Sequence, residues 1–216
     1  AVVFIISLGF APQSYAQCVV TGATPGGGEV IDCQGNDPVG VVATANPDEV
    51  TVQPGANITT NDVVSISVLE SGDTVNINGG TITTTGVAVG SVTMGVGDDM
   101  VNMQAGTVNS DRDCIRGGLD DDIIQVFGGI LNCGEDGVVG DVGIDIIFVA
   151  DAVITSITGD GVTAGPDNDN VTLGTGADIR GDISGGDGID TLIFAMEVPS
   201  DQVAIICAEL AEADPG

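Results

Sequence analysis

Seven aspartates recur along this chain, each followed by apolar residues two and four positions on: Asp48, Asp73, Asp99, Asp122, Asp145, Asp169 and Asp190, with partners such as Val75 and Ile77 or Ile124 and Val126. Their spacings are 25, 26, 23, 23, 24 and 21 residues. Carboxylates are the one abundant reactive group, with 32 Asp and Glu against three basic residues, Arg112, Arg116 and Arg180, and a formal net charge of −29. Oxygen-rich sets of this kind hold hard cations, or, as pairs, carry acid and base steps on sugars. There is no His and no Lys, which removes imidazole bases and amine nucleophiles. Without clustered basic residues, nucleic acid and anionic membrane surfaces are poor candidates as partners, and no nucleic-acid partner is expected.

In five consecutive copies Gly or Asp precedes the recurrent aspartate, approaching the calcium-binding nonapeptide G-G-x-G-x-D-x-U-x. Gly185-Gly186-Asp187-Gly188-Ile189-Asp190-Thr191-Leu192 matches it fully, while the copies ending at Asp99, Asp122 and Asp145 miss one position and the one ending at Asp169 misses two. Glycine permits the sharp turn that aims carbonyls inward, and Asp oxygens complete a cation cage. The candidate Ca²⁺ ligands are Asp98, Asp99, Asp120, Asp122, Asp145, Asp169, Asp187 and Asp190. Only one turn per repeat carries the pattern, so the cage is half present. The alternative is that Asp and Gly are there as turn formers and as solubilising charge. Stacked about 4.8 Å apart, adjacent carboxylates would repel by about 1 kcal/mol in water and about 3 to 4 kcal/mol at an effective dielectric of 20.

A second candidate for chemistry is Asp111-Arg112-Asp113 with Arg116, because polysaccharide-active β-helices work with carboxylates and an Arg. Against it, sugar grooves present aromatic platforms. Phe127, Phe148 and Phe194 fall within strand patterns, where packing in the core is the expected role. The chain is therefore expected to be non-catalytic.

The elements that position the aspartates follow from periodicity. Alternation within each copy has period two, and Gly, Asp and Asn separate the copies, which predicts strands and turns. A second apolar mark follows nine or ten residues after each of the first six aspartates, at Ile58, Ile82, Val108, Leu131, Ile154 and Ile179. Units this short cannot bury their own apolar face and must stack on their neighbours. The predicted fold is all-β, a right-handed parallel β-helix of about seven coils over residues 46–196, with the recurrent Asp forming an acidic edge along the rod. A sandwich would show turn signals every 8 to 12 residues instead.

Residues 2–10 are apolar and uncharged and precede Ser14-Tyr15-Ala16, so residues 1–16 read as a secretory signal peptide, truncated because the initiator Met and basic start are missing. Export makes disulfides available to the five cysteines. Cys18 with Cys33 and Cys114 with Cys133 are the expected pairs, leaving Cys207 over. Residues 17–45 are expected to cap the solenoid, and residues 197–216, where Val203, Ile206, Cys207 and Leu210 fall at helical spacing, to interrupt it with a short helix.

With export, an N-terminal Cys pair, units such as Gly97 to Val108 and the stretch Gly188 to Phe194, residues 17–216 resemble the passenger region of bacterial autotransporters. The resemblance implies a β-helical passenger on the cell surface or released outside, acting as adhesin or scaffold through an unidentified receptor or self-association. It also implies an outer-membrane translocator beyond residue 216. The partial nonapeptides give the alternative, a secreted calcium-binding protein similar to the repeats-in-toxin family.

Overall fold

The computed structural model describes residues 18–195. The signal-peptide reading of 1–16, the helix expected within 197–216 and Cys207 lie outside the described residues. The rest is a parallel β-solenoid with no helix among the described residues. Three sheets of nine, seven and seven strands run its length. Each coil contributes one strand to each sheet, as in coil 4, which runs Met100–Met103, Thr107–Ser110 and Asp113–Leu119. The seven coils span residues 29–42, 49–67, 74–96, 100–119, 123–142, 146–163 and 170–184, and Thr191–Phe194 begins an eighth.

Coils form here because alternate residues can be buried only against the coil above or below. In the first sheet the two apolar residues after each recurrent Asp face inward and stack in register: Val75 lies on Val101 and then on Ile124, Ile77 on Met103 and then on Val126. In the second sheet Ile58, Ile82, Val108, Leu131, Ile154 and Ile179 form the predicted column. The third sheet holds a column with no counterpart in the sequence reading: Val41, Ile66, Val92, Ile115, Val138, Val162 and Ile183. Each lies seven residues before a recurrent Asp. Variation in coil length therefore collects at the corner between the second and third sheets, which takes 10 residues from Ile82 to Val92 but 4 from Ile179 to Ile183.

The cap is narrower than the expected 17–45. Among the strands of the described residues, Cys18–Ala23 alone lies outside the parallel stack, antiparallel to Glu29–Cys33, with Cys18 opposite Cys33 and disulfide-bonded to it. Residues 29–42 already form a coil, because Ile31 and Cys33 occupy the inward positions that continue to Val50 and Val52. The second disulfide, Cys114–Cys133, joins the third sheet of coil 4 to the second sheet of coil 5, with both residues buried.

Phe127 and Phe148 also depart from expectation. Phe148 falls between the inward residues Ile147 and Val149, and Phe127 follows the last inward residue of its strand, so both face outward. Their rings tilt against each other with centroids 5.2 Å apart, across two coils. Phe194 does pack against the core.

Candidate functional site

The recurrent aspartates stand in one column at the corner between the third and first sheets, joined by a ladder of hydrogen bonds. The backbone N–H of Asp48 donates to Oδ1 of Asp73 (2.6 Å), that of Asp73 to Asp99 (2.6 Å), Asp99 to Asp122 (2.9 Å), Asp122 to Asp145 (2.8 Å), Asp145 to Asp169 (2.8 Å) and Asp169 to Asp190 (3.0 Å). At the bottom, Glu29 occupies the same position in coil 1 and its N–H donates to Oδ1 of Asp48. Glu29-Val30-Ile31-Asp32-Cys33 is thus an eighth copy of the repeat, hidden by Glu in place of Asp.

A second row runs the other way along the same corner. Asp98 accepts the N–H of Asp121 (3.3 Å), Asp121 that of Ile144 (2.8 Å) and Asn168 that of Ile189 (2.8 Å). A shorter ladder ties the corner between the second and third sheets, where Asp113 accepts from Asp136 (3.0 Å) and Asp136 from Asp160 (2.6 Å). Its residues recur at 23 and 24, the same interval as the main column, and that periodicity is the signal that finds them.

The main column is not the acidic edge predicted. Asp48, Asp73, Asp99, Asp122, Asp145 and Asp169 are between 0% and 2% exposed, and Asp190 is half-buried. The reason is that each carboxylate must reach inward along the corner to meet the amide of the coil below. Among the other expected ligands, Asp98, Asp120 and Asp187 are exposed, so the edge consists of the residues just before the column. The glycines that produced the nonapeptide likeness have a backbone cause. At the five corners before Asp99, Asp122, Asp145, Asp169 and Asp190 two positions take positive φ: Gly95 and Gly97, Gly118 and Asp120, Asp141 and Gly143, Gly165 and Asp167, and Gly186 and Gly188. Gly, and less readily Asp, fills such positions.

Within the column, Oδ2 of Asp73, Asp99, Asp122, Asp145 and Asp169 is buried with no hydrogen-bond partner. Burial is the chief cause that pushes the Asp122 carboxyl up to about 8; the amide of Asp99 pulls it down, and the charges of Asp99, Asp145 and Asp98 push it further up. Burial likewise raises Asp99 to about 7 and Asp73 and Asp145 to about 6, and raises Asp169.

Calcium at the column would require a cage of oxygen ligands. Such a cage needs six to eight oxygens converging at about 2.3 to 2.6 Å. Here Oδ1 is taken up by an amide of the coil below, and Oδ2 lies against a glycine within the third-sheet strand, Gly117 beside Asp122 and Gly140 beside Asp145. Among the described residues no three His, Cys, Asp or Glu side chains come together as a metal-holding group.

The Arg-containing neighbourhood is likewise engaged between coils. Arg116 holds Asp113 through Nη1 (2.8 Å) and Asp141 of the next coil through Nε (2.9 Å) and Nη2. Arg112 pairs with Glu135 at 2.8 Å, and Asp111 accepts the N–H of Gly86 at 2.8 Å. The third arginine, Arg180, pairs with Asp178 at 2.7 Å. The positive charge of the described residues is thus held in ion pairs.

No family model, no curated protein and no solved structure matches the chain.

Proposed function

We propose that the chain is a non-catalytic rod, the stem of an exported surface protein of the autotransporter passenger type, serving as scaffold or adhesin. The observation that carries this reading is the use of the recurrent aspartates: the residues that repeat most regularly hold one coil to the next. A repeat selected for stacking makes length and rigidity, which is what a stem needs. Two disulfides, one fastening the cap and one fastening coils 4 and 5, fit a life in an oxidising compartment. The Arg-carboxylate group is also a coil fastener, which favours a scaffold over a polysaccharide-active site.

The test is to express the full reading frame in its host and in a deletion strain. Antibody labelling of intact cells and a cell-aggregation assay should both depend on the gene, and the cysteines should resist alkylation without reductant. A protein found only inside cells with free thiols would overturn the reading. Melting with Ca²⁺, at ionic strength matched by Na⁺, separates the alternative: a rise specific to Ca²⁺ favours a repeats-in-toxin-like protein.

A further inference from the structure

We propose that the outer face of the first sheet over coils 4 to 6, with the adjoining strand ends of the third sheet, docks a partner protein through a cationic amphipathic helix lying along the strands. The proposal narrows the adhesin reading and rests on it only for the setting in which such a partner is met.

The inward positions of the first sheet are apolar in every coil, but its outward positions change along the rod. Coils 2 and 3 present Glu49, Thr51, Thr74 and Asn76 there, and coil 7 presents Asn170 and Thr172. Low on the rod an amide ladder covers this face, with Asn76 donating to Glu49 at 3.2 Å and Asn102 to Asn76 at 3.3 Å. From coil 4 upward apolar side chains take over. Met100, Ile123 and Ile146 lie side by side in successive coils, and Gln125 lies beside Phe148, whose ring meets that of Phe127. Ile144 stands in the row of Asp98, Asp121 and Asn168, where the others carry side-chain oxygens, and it is 53% exposed. Leu119 and Val142 stack in register at the end of the third sheet, 47% and 46% exposed. Stacking alone does not call for this surface, because neighbouring coils stack with Thr and Asn at the same positions. Other exposed apolar residues, such as Val63, Val87 and Ile157, stand on separate bends. Single exposed residues of that kind are ordinary, whereas a contiguous patch bounded by polar surface marks a place of contact.

Charge identifies the occupant. Exposed carboxylates rim the patch: Asp98, Asp120 and Asp121 at the aspartate corner, Asp167 on the next coil and Asp151 at the opposite corner. The chain has no Lys, and its three arginines are already engaged, Arg112 with Glu135, Arg116 with Asp113 and Asp141, and Arg180 with Asp178. A second copy, also at −29, would set the same acids against this rim, so like charges oppose self-docking. The partner must bring apolar side chains for the centre and Lys or Arg for the rim. Two coil steps of about 4.8 Å give the patch the width of a single helix, about 10 Å. A helix with apolar residues at i, i+3, i+4 and i+7 and basic residues on both flanks meets centre and rim together.

The test uses the full chain and two Leu-Lys peptides of about five helical turns and identical composition, one carrying that apolar stripe and one scrambled. In titration calorimetry at about 0.15 M NaCl the striped peptide should bind at least about tenfold tighter than the scrambled one. Methyl NMR shifts should centre on Ile123, Ile144 and Ile146. The triple variant Ile123→Thr, Ile146→Thr, Phe148→Thr keeps the charge and takes the residue that coils 3 and 7 use on this face. It should erase the preference for the striped peptide and leave the scrambled one bound as before, while Ile157→Thr, outside the patch, should change neither. Equal binding of the two peptides, or an unchanged preference in the triple variant, overturns the proposal. So does a dimer in sedimentation that the triple variant dissolves, because the occupant would then be a second copy. Should the triple variant not fold, Ile146→Thr alone is read by the same criterion. Loss of the preference leaves the stem reading standing, and a rod confined inside cells that still prefers the striped peptide overturns the stem reading alone.

Discussion

Removing one rung should reveal what each aspartate contributes. In Asp145→Ala the N–H of Asp122 loses its acceptor in a buried corner. Leaving that donor unpaired should cost about 1 to 3 kcal/mol, read as a lower melting temperature. Gly143→Ala tests the corner's backbone. Gly143 has φ 145°, and an added Cβ would run into the carbonyl oxygen of Asp120. The strain should cost about 1 to 3 kcal/mol, while Asp120→Gly, at φ 79°, should be tolerated. At this scale the sequence disclosed the identity and interval of the aspartates but not their direction. A Gly-rich acidic turn is compatible with an outward cage or an inward ladder, and only the placement of the coil below decides. Phe127 and Phe148 were misread for a related reason: an aromatic residue in a strand pattern implies burial only when its parity is known, and both have outward parity.

At the scale of strands and corners, the two disulfides differ in what they secure. Replacing Cys114 and Cys133 by Ser opens a 19-residue crosslink between buried positions, and the loss should be about 3 kcal/mol by the chain-entropy account. Replacing Cys18 and Cys33 releases a strand paired on one side only. Its amides should exchange faster in deuterium-exchange mass spectrometry, with the coils beyond residue 49 unaffected. The first two sheets were legible because their columns keep a fixed distance from the Asp. The third keeps an equally fixed distance but lies upstream of its Asp, beyond a corner of variable length, so counting downstream blurs it. Coil 1 was missed through a single exchange, Glu29 standing where the other copies have Asp.

For the molecule as a whole, stacking in register makes coils exchangeable. Deleting residues 74–99 joins Asp73 to Met100, removing one 26-residue period and leaving both disulfides in place. The N–H of Asp73 would then meet Asp122, and the Val50 column would continue through Val101. The shortened chain should fold with an unchanged strand signature in circular dichroism and a modestly lower melting temperature; a chain that stays unfolded would contradict exchangeability.

The uneven corner between the second and third sheets gives the rod one side on which it can vary. A chain that absorbs 4 residues there in one coil and 10 in another can accept longer loops at the same place without disturbing the stack. Longer loops can accumulate there outside coils 4 to 6, where the Asp113–Asp136–Asp160 ladder and the Cys114–Cys133 disulfide tie the same corner. The rod thus has a corner open to change outside coils 4 to 6 and another closed to it along its length, and a comparison of related chains should find insertions at the first.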